Sequence, residues 1–258
     1  MERLLNALCH PKKIGFYFKD KAIIVFSFLM LMIAFSIAGV AVNSYAYPQF
    51  DYNTATSITA LITGSGSKTE YNSETHILTG AEFNKEVYTA ENFTIAFYTT
   101  DTAKTQNSYS ILFAKEYVYL KYQSIIISKI KYSDLNINSF KVSEIQSSNA
   151  KRIEFTDVIF KILNASKTNF ASFNFIVNSS SVLMYAVFLI IANLIFSYFT
   201  NPTIQTPVRF KLLIYTSLIY FLFSGLAFFS GVAWLEYVGL FLSVIYTNIC
   251  FRHIIRVS

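Results

Sequence analysis

The stretch AIIVFSFLMLMIAFSIAGVAV, Ala22 to Val42, runs for 21 residues without a charged side chain, between Lys21 and Asn43. At a helical rise of about 1.5 Å per residue it extends about 30 Å, the thickness of a bilayer's hydrocarbon core. The reading is a transmembrane helix. Ser44-Tyr45-Ala46 has the small residues of a signal-peptidase site, but signal-peptide hydrophobic regions are about 7–15 residues long. An uncleaved anchor is therefore expected. Ala34, Ala38 and Gly39 form a small-residue face that allows another helix to approach closely.

Before this stretch, residues 1–21 hold Arg3, Lys12, Lys13, Lys19 and Lys21 against Glu2 and Asp20. Leu4, Leu5 and Leu8 recur at helical spacing, which predicts a short amphipathic helix on the membrane surface, ended by Pro11. A basic flank of this kind marks the cytoplasmic side.

After it the character changes. Residues 43–178 carry twelve acidic and twelve basic residues and are electrically neutral. Strand-like runs follow one another at Thr94–Tyr98, Tyr109–Phe113, Tyr117–Tyr122 and Ser124–Ser128. Val118, Leu120 and Tyr122 alternate with Tyr117, Tyr119 and Lys121, the period of a half-buried strand. Turn-rich segments such as Thr100–Asn107 separate the runs and predict an antiparallel meander. Gly64–Ser67 reads as a flexible loop, too short for a phosphate cradle. Phe155, Ile159 and Ile162 share a helical face, so a helix is expected over about 153–164.

Ser181 to Phe199 is a second apolar stretch with Asn193 inside it, read as inter-helix glue. From Leu212 to Phe251 there are 40 residues whose single charge is Glu236. One helix of that length would be about 60 Å, twice the bilayer, so the chain must turn back. Ser230 to Glu236 is the expected turn, with Trp234 and Tyr237 suited to an interface.

These readings give four transmembrane helices, at about 22–43, 180–200, 211–231 and 234–252, plus an α+β extracytoplasmic domain with an antiparallel sheet. The domain plan is a leader (1–21), a first span (22–43), the outer domain (44–178) and a three-helix region with a cytoplasmic tail (179–258). Placing both termini in the cytoplasm puts the Lys and Arg residues of the leader, of the 200–211 connection and of the tail on one side, as the positive-inside rule requires. The net charge of +6 is thus a topology signal. The neutral outer region removes the basis for nucleic-acid binding. The aromatic-rich composition, with abundant Asn, Ile and Lys, points to an AT-rich bacterial genome and hence to a bacterial plasma membrane.

No catalytic, cofactor-binding or metal-ligating residues are expected. His10, His76 and His253 are scattered, and the sequence has no HExxH, Cys/His cluster, G-x-S-x-G or Walker-type loop. Cys9 and Cys250 both neighbour basic clusters assigned to the cytoplasm, so they read as free thiols. Neighbours such as Lys85–Glu86 and Lys115–Glu116 read as solvated surface. Asn92-Phe93-Thr94, Asn164-Ala165-Ser166 and Asn178-Ser179-Ser180 match the glycosylation pattern, which carries no meaning in a bacterium.

The start Asn6-Ala-Leu-Cys-His-Pro-Lys-Lys-Ile-Gly15, followed by the first span, resembles an uncharacterised membrane-protein family of Gram-positive bacteria often labelled maltodextrin utilisation protein. His10-Pro11-Lys12 stands where that family has Ser-Pro-Lys, and the Tyr109-to-Asp134 stretch is also similar. The resemblance implies a leader, a first span, an outer domain and a helical bundle, in the setting of sugar uptake. The expectation is therefore a non-enzymatic accessory or regulatory membrane protein whose outer domain binds a partner or ligand. Its expected partners are the lipid bilayer and other membrane proteins, among them a sugar-transport permease. The alternative is a transporter or channel component acting as an oligomer.

Overall fold

A computed structural model describes residues 2–46, 50–63, 67–80, 86–89, 93–97, 109–200 and 202–255. The chain forms two compact units: Met1–Tyr47 with Asn174–Ser258, and Pro48–Phe173.

The first unit is helical. A leader of α1 (Glu2–Cys9), α2 (Pro11–Ile14) and a 3-10 turn (Gly15–Lys19) precedes α3 (Ala22–Ala46). In the second unit come α4 (Tyr52–Ala60), α5 (Tyr132–Leu135) and α6 (Asn149–Ala165). Then follow α7 (Lys167–Thr200), α8 (Thr206–Ser230) and α9 (Trp234–Ile255). Among the described residues, four helices (α3, α7, α8 and α9) are long and apolar enough to cross a membrane. The expected span at 180–200 is only the C-terminal part of α7. Neither Gly nor Pro occurs between Lys167 and Thr200, so nothing stops the helix at the polar-to-apolar change.

Helix α8 is central: 72% of its apolar window is buried, against 28% in each of the other three. Helix α3 crosses it where Gly39 meets Gly225; a Cβ on Gly39 would fall 2.7 Å from the Gly225 carbonyl oxygen. Ser36 Oγ donates to the Phe221 carbonyl at 2.6 Å on the same face. The close-approach face is therefore Ser36, Gly39 and Val40, all buried, while Ala34 and Ala38 are exposed. Only Gly39 of the expected small-residue face is at the crossing. Helix α9 approaches α8 at Gly239, beside Phe223 and Tyr220. The turn between them is at Gly231, whose φ of 70° closes α8 in the left-handed conformation a glycine adopts without strain.

The leader's first helix, α1, ends at Cys9, before Pro11 as expected. Pro11 then opens α2 from its first turn, where its missing N–H costs nothing. Ala7 and Ile14 are fully buried in the helical unit, and Tyr246 donates its hydroxyl to the Leu8 carbonyl at 2.8 Å.

The second unit holds two sheets. The smaller is antiparallel with order β2-β1-β8, from β1 (Glu70–Asn72), β2 (Ile77–Thr79) and β8 (Phe140–Lys141). The larger has order β3-β4-β5-β6-β7, from β3 (Glu86–Thr89), β4 (Phe93–Phe97), β5 (Tyr109–Phe113), β6 (Tyr117–Tyr122) and β7 (Ile125–Lys131). Strands β5, β6 and β7 form the expected antiparallel meander. Strands β4 and β5 run parallel, Phe93 opposite Tyr109 through Phe97 opposite Phe113. The sheet is therefore mixed rather than purely antiparallel. Parallel neighbours need a connection that returns the chain to its starting end, and turn-rich composition does not distinguish that from a tight hairpin. The expected turn at 100–107, residues 64–66 of the expected loop, and Lys85 and Asn92 lie outside the described residues.

The core of this unit is aromatic. Phe97 stacks on Phe113 at 4.8 Å, and Phe155 of α6 reaches Phe113 and Phe140 at 6.0 and 5.0 Å between ring centroids. The helix expected at 153–164 is α6, longer at both ends, capped by Ser148 Oγ accepting from Lys151 N.

Candidate functional site

Within the second unit a cleft of about 570 Å³ lies between the small sheet and α6. Five consecutive residues, Ile137 to Lys141, line one wall. They follow α5, which ends at Asn136 in the left-handed conformation (φ 48°, ψ 55°), a state Asn tolerates better than most residues. That change of direction delivers the chain into β8. Tyr71 pairs with Phe140 and Glu70 with Lys141, and the Ser139 hydroxyl accepts from Ser73 N at 2.9 Å.

The opposite wall is α6. Phe155 and Val158 face inward and are buried, while Lys151, Glu154 and Lys161 reach the cleft from exposed positions. Lys161 Nζ donates to the Asn136 carbonyl at 2.7 Å and so ties the two walls together. Tyr52 of α4 donates to Asp157 Oδ1 at 2.9 Å and packs its ring on Phe160, which braces α6. That hydrogen bond to a carboxylate raises the Tyr52 pKa. Helix α4 itself begins at Asp51, whose side chain accepts from Thr54 N at 2.8 Å and Thr54 Oγ1 at 2.7 Å. These bonds favour the charged carboxylate and lower its pKa.

The cleft is polar at its rim and aromatic beneath. Lys141 faces Glu70 at 3.7 Å and Lys151 faces Glu154 at 2.9 Å. The hydrogen bond to Glu154, followed by its charge, raises the Lys151 pKa. Tyr71, Phe140 and Phe155 form the apolar floor. Exposed ion pairs of this kind contribute little stability; they fix the cleft's charge pattern. A surface of this kind can hold a ligand by shape, stacking and charge.

The three histidines stay apart. His10 is exposed in the leader and His253 meets the Phe16 ring in α9, while His76 bonds the Tyr71 hydroxyl at 3.1 Å in the other unit. Cys9 and Cys250 are both free. Among the described residues no three His, Cys, Asp or Glu side chains converge to hold a metal ion. Lys115 and Glu116 are exposed in the turn between β5 and β6.

Several polar groups inside the helical unit satisfy one another. Thr216 and Thr247 hydroxyls meet at 2.9 Å, Ser243 donates to the Thr216 carbonyl, and Tyr220 donates to Glu236 at 2.9 Å. Asn193 is buried on α7, one turn before Ser197. Arg209, counted from the sequence as a charge of the connection, is fully buried. Its guanidinium donates to Ser197 Oγ and to the Ile204 carbonyl, each at 2.9 Å, and stacks over the Tyr198 ring at 4.1 Å.

Sequence reasoning did not find the cleft, because its residues come from three separated segments. No protein-family model, curated protein or solved structure matches the chain.

Proposed function

We propose that this chain is a non-enzymatic accessory or regulatory protein of a bacterial plasma membrane. Four helices anchor it, both termini are cytoplasmic, and the Pro48–Phe173 unit outside is a binding module. The observation that carries the reading is the charged, aromatic-floored cleft between β8 and α6. The basic leader, the basic connection and the neutral sheet unit support the sidedness. The resemblance to the maltodextrin-labelled family supports a partner in carbohydrate uptake, such as a permease.

The test is site-specific photocrosslinking of the full chain in native membranes. A photoreactive residue at Asn138 or Glu154, in the cleft, is expected to give one reproducible adduct. The same residue at Glu74, outside the cleft lining, serves as control. Equal adduct patterns from both positions contradict the assignment of the cleft. A purified protein that alone moves a solute into liposomes contradicts the accessory role.

A further inference from the structure

Among the described residues β8 is an edge strand whose residues line this cleft, and its register decides which backbone groups are available. Val142 N donates to the Thr69 carbonyl at 2.9 Å, so residues 69 and 142 form a hydrogen-bonded pair. Antiparallel ladders alternate hydrogen-bonded and non-hydrogen-bonded pairs. Tyr71 and Phe140 are therefore bonded to each other, while Ser139 turns its N–H and C=O away from β1 and Lys141 its N–H; the Lys141 carbonyl accepts the first bond of the 3-10 turn Val142–Glu144. Among the described residues strand β8 is the last of its sheet, and Ser139 and Lys141 both line the cleft.

The opposite wall has matching length. From Lys151 to Lys161 the helix rises about 15 Å, the length of about five extended residues. Groove and edge strand together are the geometry in which an extended peptide adds a strand, using main-chain bonds for affinity and side-chain pockets for choice.

Charge narrows the choice. The acids Glu70, Glu144, Glu154 and Asp157 line the cleft with three lysines. Lys141 and Lys151 pair with Glu70 and Glu154, and Lys161 is turned to a backbone carbonyl. Four carboxylates against three ammonium groups give these lining side chains a net charge of −1, and among the described residues Glu144 and Asp157 have no salt bridge, Glu144 acting on Lys151 only through its charge, so the cleft favours a positive ligand group.

We infer that the cleft takes an extended peptide segment bearing a basic side chain, added as a strand to the outer edge of β8. The inference rests on the binding-module reading and specifies its partner. The backbone of the incoming strand pairs with the N–H and C=O of Ser139 and the N–H of Lys141, its apolar side chain meets Phe140 and Phe155, and its cation faces Glu144.

The test uses the full chain in lipid nanodiscs. A displayed library of random ten-residue peptides is selected on it, and the selected peptides are synthesised with single backbone N-methyl groups. Maltooligosaccharides are offered in parallel. Enrichment of Lys or Arg is expected, with binding lost on N-methylation at alternate residues only. Lys141→Pro removes an outward N–H on extended backbone (φ −118°) and is expected to weaken binding about five- to tenfold relative to Lys141→Ala, which keeps it. Glu144→Lys is expected to remove the preference for basic peptides. N-methylation without an alternating pattern, or equal binding by the Pro and Ala variants with matching thermal unfolding, overturns the inference. Maltooligosaccharide binding without peptide binding also overturns it and leaves the binding module standing. No binding of either probe, together with no crosslink from the cleft, ends both readings.

Discussion

Tyr215 of α8 donates its hydroxyl to Asp20 Oδ2 at 2.6 Å, joining the end of the leader to the central helix. Arg3 donates to the other carboxylate oxygen at 2.6 Å, and Lys211 Nζ donates to the Asp20 carbonyl at 2.7 Å. One aspartate thus gathers the start of α1 and the first turns of α8. Its side chain is 10% exposed, against 49% for Arg3. Removing the carboxylate leaves a buried donor unsatisfied, whereas removing Arg3 breaks a largely solvated pair. Asp20→Ala is expected to cost about 1–3 kcal/mol, and Arg3→Ala less than about 1 kcal/mol. Trypsin digestion of the full chain in detergent reads this: faster cleavage at Lys12 and Lys13 in Asp20→Ala than in Arg3→Ala. Equal protection of the two variants contradicts the ranking.

Gly39 has no room for a side chain, because its Cβ would meet the Gly225 carbonyl at 2.7 Å and Phe229 at 3.2 Å. Gly39→Val is expected to destabilise the α3–α8 crossing by about 1–3 kcal/mol through overpacking. Ala38→Val, on the exposed side, should leave thermal unfolding in detergent unchanged. If the two substitutions act alike, the crossing is misassigned.

The fold was legible where a long periodic signal existed. The uninterrupted apolar run from Ala22, the excess length from Leu212 to Phe251 with Gly231 inside it, and the alternation at Tyr117–Tyr122 each led to the right element. Strands of two to four residues, such as β1, β2 and β8, are too short to show a period of two. Helix α4 was missed because its Thr and Ile residues favour strands. The Asp51 cap with Thr54 overrides that preference and was readable as a helix start. The parallel pairing of β4 and β5 depends on the path of a connection, which composition does not encode. The cleft was illegible for the same reason: residues 70–72, 137–145 and 151–161 meet only after folding.

The Asp51 cap predicts a local pH response. Its folded pKa lies below the ordinary 3.8, so the unfolded state binds the proton more readily. The cap's contribution is therefore complete above pH 3.8 and is lost as pH falls through the lower, folded value. Hydrogen exchange across residues 52–60 should accelerate in that window. In Asp51→Asn, whose amide oxygen caps without titrating, the acceleration should disappear. An unchanged acid response in Asp51→Asn contradicts the assignment.

Ser148 starts α6, and with it one wall of the cleft. Ser148→Ala removes the acceptor of Lys151 N and is expected to destabilise the sheet unit by about 0.5–2 kcal/mol. Ser148→Asp should preserve stability. Chemical unfolding of the full chain, followed through the amide exchange of α6, distinguishes the two. Equal stability of the Ala and Asp variants contradicts the cap.

The proposed function requires a binding cleft presented outside the cell by a four-helix anchor. Lys151→Cys, in a chain with Cys9→Ser and Cys250→Ser, places a single thiol on the cleft wall. Ser258→Cys in the same background places one at the C-terminus instead. With this topology a membrane-impermeant maleimide labels the cleft thiol in intact cells, while the C-terminal thiol is labelled only after permeabilisation. Labelling of the C-terminal thiol in intact cells, with the cleft thiol silent until the membrane is opened, would contradict it.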